Sequence, residues 1–518
     1  MSKLDKSLKN ARVAFVFYFI ALVVSFVSRR VFIETLGTEL VGLGATMQNI
    51  LGFLGLAELG INAAVTYALY KPLVSKDNEK INKIISLFGY LYRIVGLVIL
   101  LLGVIVSFFL PAFFEKSELH WTILFGSYYT FLSITLITYF NNYRQTLLVA
   151  DQRAYTVTRV NNYLSLLKVV LQIVCLKYLR LSLNESYFIW LGLELVFGYI
   201  IRLRTNWIVK KQYPWLQPNL KNGRLLLKEF PEIFQNIKNL FAHSIGSFVR
   251  FQSTQILIYM FTSLTVVTYF SNYMLIINRV SSLINSTLGS NLAAVGHLVA
   301  EGNKEKSYKL FTEFNALFFF IGGVFAYCLY NLTEPFLELW LGEEFVLSKG
   351  VFLLILTSSY LSLIRRSVMF FINGFGLYRD VWAQWTEAGI NLLVAIPAGY
   401  YWGLSGILLG SVISSVFIAI WKPYFLFSNE LDITVLKYWK DAAIYAGLFA
   451  VSCIILLPLQ QRLPDVDSYL TWALNAVVIT STIILVYGVA MYFFAPGLKG
   501  VFARLSNKLF NKWRKKQK

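Results

Sequence analysis

The sequence predicts an all-α polytopic membrane protein of about fourteen transmembrane helices: two parallel six-helix halves around a central cavity, followed by two C-terminal helices. Three observations carry this. Of 518 residues, 57% are hydrophobic and only 14% charged, against roughly a quarter charged in soluble domains. Runs of ~20 apolar residues, the length that crosses a bilayer core, recur along the whole chain with short polar gaps. Lys and Arg gather in alternate gaps, the pattern of cytoplasmic loops.

Taken in order, the spans fall near 12–33, 40–70, 84–110, 120–143, 160–179, 186–208, 241–263, 266–299, 309–333, 350–373, 381–402, 405–427, 442–460 and 470–494. The first follows Lys3, Lys6, Lys9 and Arg12. That is the charge order of a signal peptide, but no small-residue cleavage site follows, so it reads as a retained span. With the N-terminus inside, cytoplasmic loops hold Lys71, Lys76, Lys80 and Lys83, then Arg144, Arg153 and Arg159, then a basic stretch from Arg202 to Lys238. Later inside segments carry Lys304, Lys306, Lys309, Arg379, Lys437 and Lys440, and the tail is strongly basic, while the outside segment from Glu334 to Phe345 is acidic. Both termini are therefore expected in the cytoplasm. The formal charge of +20 is spread over these loops, which argues against a nucleic-acid surface. Cys175, Cys328 and Cys453 lie apart in apolar runs, and His120, His243 and His297 are isolated, so neither a disulfide framework nor a metal site is indicated.

An internal repeat is visible at a shift of 226 residues: Asn78-Glu79-Lys80 in SKDNEKINKI falls on Lys304-Glu305-Lys306 in EGNKEKSYKL, and Arg153 falls on Arg379. Duplicated helical units are common in transporters. The expected organisation is residues 1–208 for the first half, a cytoplasmic basic amphipathic linker at 209–240, a second half at 241–428, helices 13 and 14 within 429–498, and a basic tail at 499–518. The linker either rests on the inner surface or is a solvated connector.

An ionisable group near the bilayer centre costs roughly 2.5–3.5 kcal/mol, so each needs a partner or a wet cavity. Arg29 and Arg30 lie near the outer end of span 1, facing a cavity or snorkelling to the interface. Lys168 and Glu194 sit at matching depth in successive spans, as a structural pair or as a substrate contact balanced when empty. Arg250 and Arg279 have Ser, Asn, Gln and Thr for company, which suggests an aqueous lining or polar helix packing. Arg365 and Arg366 interrupt span 10 and must face protein or cavity. Glu58, deep in span 2 among glycines, is a candidate to take up a proton or cation, with Glu194 a second; Glu387 reads as an interfacial group. Cations outnumber carboxylates among these groups, which implies an anionic ligand matched by the arginine fork.

This layout resembles the multidrug/oligosaccharidyl-lipid/polysaccharide exporter superfamily, in particular its Wzx-type polysaccharide branch. The stretch LGTELVGLGATMQNILGFLGLAELGINAAVTYAL from Leu36 to Leu69 resembles that branch's first outside turn and second helix, and LLVADQRAYTVTRVN resembles its loop between spans 4 and 5. The resemblance implies flipping of undecaprenyl-pyrophosphate-linked repeat units of O-antigen or capsule across the bacterial inner membrane, by alternating access through a cationic cavity. Membrane lipids, a polysaccharide polymerase and chain-length machinery are the partners it implies. A lipid II flippase of the same superfamily is the alternative. A cationic-drug exporter would offer an acidic cavity and stop after span 12, and a polymerase or ligase would carry a large outside loop. No G-x-x-x-x-G-K-[ST] loop is present, so the chain is expected to be a transporter and not an enzyme, without cofactor, drawing on H+ or Na+ if an energy source is needed.

Overall fold

The computed structural model describes residues 3–58, 60–151, 153–179, 181–288, 303–377, 379–431 and 433–504, and among these the regular elements are all helical. In order they are α1 (Lys3–Leu54), α2 (Ile61–Ser75), α3 (Asn78–Phe113), α4 (Trp121–Asn141), α5 (Gln145–Ala150), α6 (Ala154–Tyr178), α7 (Leu183–Gln212) and α8 (Gly223–Glu229). Then follow α9 (Pro231–Phe261), α10 (Leu264–Leu288), α11 (Lys304–Trp340), α12 (Lys349–Ile364), α13 (Arg366–Phe375), α14 (Val381–Leu426), α15 (Leu436–Gln460) and α16 (Tyr469–Phe494).

Among the described residues each expected span has helix, span 8 as far as Leu288 and span 2 interrupted by the short turn between α1 and α2, and the punctuation differs elsewhere too. Spans 1 and 2 run together in α1 and turn at Gly37 (φ 79°, ψ 166°), while spans 11 and 12 run together in α14 and turn at Gly403 (φ 54°, ψ −128°). Only glycine adopts such angles without a Cβ clash, so one residue does the work of a loop. Span 10 breaks at Arg365 between α12 and α13. Nine of the described helical stretches are long and apolar enough to cross a membrane, and the chain is a multi-pass membrane protein. Helices α1, α2, α9 and α10 are not among the nine.

Helix starts follow local chemistry. The Asp77 side chain accepts from the Lys80 N–H at 2.9 Å, and Asn303 accepts from the Lys306 N–H at 2.9 Å. The two matched segments of the repeat thus open α3 and α11 with the same N-cap. Ser182 and Ser468 begin α7 and α16 with capping boxes.

The chain divides into two compact units, Met1–Thr268 and Tyr269–Lys518, the division falling inside α10. In the first, α7 packs on α4 and α6, α1 on α6, and α9 along α1 and α2. Buried tyrosines are satisfied there: Tyr128 donates to the Gly103 carbonyl at 2.7 Å, and Tyr187 shares a 2.8 Å hydrogen bond with Ser127. The basic linker is docked on the start of α3. Asn82 and Ser86 accept the Gln217 and Asn219 N–H groups at 2.8 Å each, Lys83 pairs with Glu229 at 2.8 Å, and Leu226 and Phe230 are buried. Tyr213 donates to Asp151 at 2.5 Å; burial, then this bond, raises its pKa above the ordinary phenol value, keeping it a donor. In the second unit α11 is the spine, with α12, α15 and α16 packed on it around Phe311, Phe371, Tyr445 and Tyr487. The last two helices therefore belong to this unit's core.

Candidate substrate and ion sites

Arg29 and Arg30 are adjacent, and the 100° step of the helix sends them to different surroundings. Arg30 pairs with Glu34 at 2.7 Å, both about half exposed, a pair of little energetic weight. Arg29 is half-buried, donates from Nη2 to the Thr268 carbonyl at 3.3 Å, and lines a hollow of about 280 Å³ with Phe32, Gln48, Asn49, Trp190 and Gln255. Across the α1/α9 seam Asn49 donates to Gln255 Oε1 at 2.5 Å. The lining of the hollow mixes these polar and aromatic groups with the aliphatic side chains of Leu36, Leu40 and Val41.

One turn further along the same seam lies a second hollow of about 770 Å³, lined by Gly52, Glu58, Tyr139 and Gln252 among others. Glu58 sits on the short turn between α1 and α2, where its Oε1 accepts from the Tyr92 hydroxyl and its Oε2 from the Tyr139 hydroxyl at 2.6 Å. Two phenolic donors fixed by α3 and α4 hold the carboxylate at the edge of a cavity, an arrangement able to take a proton or a small cation on its open side.

The other sequence candidates are distributed through both units. Lys168 Nζ donates to both Glu194 oxygens at 2.6 and 2.7 Å, and Gln172 donates to Glu194 at 3.0 Å. Arg365 reaches Glu387 at 3.1 Å, with Glu387 only 3% exposed. Glu387 is therefore a buried counter-ion, where α14 packs against α12. Arg366 and Arg279 are half-buried, while the side chain of Arg250 lies outside the described residues. Among the described residues Lys168, Arg365 and Arg30 thus carry a carboxylate partner. Among the described residues no group of His, Cys, Asp and Glu could hold a metal ion.

Sequence reading missed several groups. Lys422 and Asp380 form an ion pair at 2.7 Å with side chains 0% and 1% exposed, and Trp421 Nε1 donates to the same carboxylate oxygen at 3.2 Å. Lys422 was visible as a charge inside span 12, but nothing local marks a partner 42 positions away. Tyr92, Tyr139, Gln48, Asn49, Gln255 and Trp190 carry no charge, so the cost argument that exposes an arginine does not find them.

No protein-family profile matches the sequence, and no curated protein is similar to it. Among solved structures the chain is similar to the lipid II flippase MurJ in an inward closed conformation, with 14% identity, a TM-score of 0.61, and coverage of 93% of this chain and 98% of that one. It is also similar to an inward-facing multidrug resistance MATE family transporter of the MOP superfamily, with 15% identity, a TM-score of 0.53, and coverage of 80% of this chain and 94% of that one. The chain is a multi-pass membrane protein with the fold of MOP-superfamily transporters.

Proposed function

We propose that the chain is a flippase that moves undecaprenyl-pyrophosphate-linked oligosaccharide repeat units across the bacterial inner membrane for O-antigen or capsule synthesis. The observation that supports this most is the half-buried Arg29 lining a hollow with the amides Gln48, Asn49 and Gln255 in a helical membrane protein of this fold. A guanidinium in restricted water gives an anionic head group charge-assisted hydrogen bonds that a neutral wall does not. In this reading Arg29, with Arg30, Arg250, Arg279, Arg365 and Arg366, serves the diphosphate and acidic sugars as the halves alternate in access, and Lys168, paired with Glu194, supports the site. Glu58, held by Tyr92 and Tyr139, takes the coupling H+ or Na+, with Glu194 in reserve behind its lysine. Both termini face the cytoplasm, and polymerase and chain-length machinery receive the product outside.

A lipid II flippase is the second reading, favoured by the likeness to MurJ over 93% of the chain, against 80% for the multidrug transporter. One experiment separates the two. In a deletion strain complemented with wild type or Arg29→Gln at matched membrane abundance, the polysaccharide reading expects surface display from wild type only, with lipid-linked repeat units accumulating inside otherwise. Normal display in the deletion, with peptidoglycan precursors accumulating instead, would establish the lipid II reading and remove the first.

A further inference from the structure

The Arg29 hollow has an aromatic wall that binding of a diphosphate does not require. Tyr187 and Trp190, one turn apart on α7, stack with ring centroids 5.6 Å apart and planes 17° from parallel. Phe32 meets the indole edge-on at 5.7 Å, and the Tyr187 hydroxyl is tied to Ser127 at 2.8 Å. From behind, Gln172 Nε2 donates to the Trp190 carbonyl at 3.3 Å and to Glu194 at 3.0 Å, and Glu194 in turn accepts from Lys168. The turn of α7 that presents the indole is thus braced by an ion pair at its back. Three amides, Gln48, Asn49 and Gln255, line the same hollow with Arg29, Asn49 donating to Gln255.

Resting on the flippase reading, we propose that this hollow is the subsite for a single pyranose ring bearing a carboxylate, a hexuronic acid or its like, within the lipid-linked saccharide. A pyranose has an apolar C–H face and an edge of hydroxyls. The face suits the rigid amphipathic indole. The hydroxyls, each both donor and acceptor, suit amides, which offer both roles, better than a wall of cations that can only donate. The carboxylate takes the fork of Arg29. The hollow of about 280 Å³ has room for one sugar ring. Trp190 is then the platform, Gln48 and Gln255 read the hydroxyls, and Lys168 with Glu194 acts through Trp190 as a positioning pair.

The test uses full-length protein in nanodiscs, with D-glucuronate as probe and D-glucose and inorganic phosphate as comparators, read by saturation-transfer NMR. Glucuronate is expected to bind with Kd about 1 mM, and glucose about tenfold more weakly. Arg29→Gln should bring glucuronate down to the level of glucose and leave glucose unchanged. Trp190→Leu should weaken both sugars about tenfold, and Gln255→Leu, which leaves the aromatic wall in place, should weaken both about threefold. Lys168→Met should weaken both equally, without the charge selectivity of the Arg29 change. Two results overturn the subsite: no glucuronate binding by folded wild type, or phosphate binding as tightly as glucuronate with neither sensitive to Trp190→Leu. Failure here with lipid-linked units still accumulating in the deletion strain removes the subsite and leaves the flippase. Saturable, Trp190-dependent glucuronate binding without such accumulation upholds the site and removes the polysaccharide reading.

Discussion

Removing the carboxylate of Asp380 should be among the most damaging single changes in the second unit. Lys422 is 0% exposed and its Nζ lies 2.7 Å from Asp380 Oδ2. In Asp380→Asn the side chain keeps its shape, but the ammonium is left buried with no counter-ion, which costs about 3–5 kcal/mol. The reverse change is milder. In Lys422→Met the carboxylate keeps the Trp421 indole N–H at 3.2 Å and sits at the N-cap of α14, where the helix end offsets about 1 kcal/mol. Replacing both, Asp380→Asn with Lys422→Met, removes the two buried charges together and should recover most of the loss, a coupling of about 2–3 kcal/mol in the cycle. Chemical unfolding of purified protein in micelles, followed by tryptophan fluorescence, measures all four corners. An Asp380→Asn variant within about 0.5 kcal/mol of wild type, or a cycle without coupling, would refute the argument.

Four further outcomes follow from the same geometry. Gly403→Ala forces a Cβ onto φ 54°, ψ −128° and should cost about 1–3 kcal/mol, seen as a lower thermal midpoint. Glu58→Ala strips the acceptor from Tyr92 and Tyr139 and should cost about 1–3 kcal/mol for each buried hydroxyl left unsatisfied. Glu58→Gln keeps an acceptor, so it should stay near wild type in stability and lose only the dependence of transport on an H+ or Na+ gradient; gradient-dependent transport by Glu58→Gln would dismiss Glu58 as the coupling group. Tyr213→Phe removes the 2.5 Å bond to Asp151 and should cost about 1.5–3 kcal/mol, as for a hydrogen bond to a charged group, read as faster proteolysis of the docked linker.

Hydropathy and length made the helices legible because a chain in lipid must satisfy its backbone internally, and an apolar run of sufficient length has little choice but helix. The pairing of Lys168 with Glu194 was legible too, since two opposite charges at equal depth in successive spans can hardly avoid each other. Arg365 with Glu387 was half legible: the arginine announced itself, but its partner depended on how α14 packs against α12.

By itself the sequence determined the helical class, the order of the spans and which cations sit in apolar runs. These properties follow from composition and from contacts within a few residues. Only the tertiary structure decided that Arg29 lines a hollow while Arg30 turns to Glu34, that Tyr92 and Tyr139 converge on Glu58, and that Asp380 meets Lys422. Each depends on the rotation of one helix against another. That rotation is set by packing over the whole length of both helices, and no local pattern encodes it.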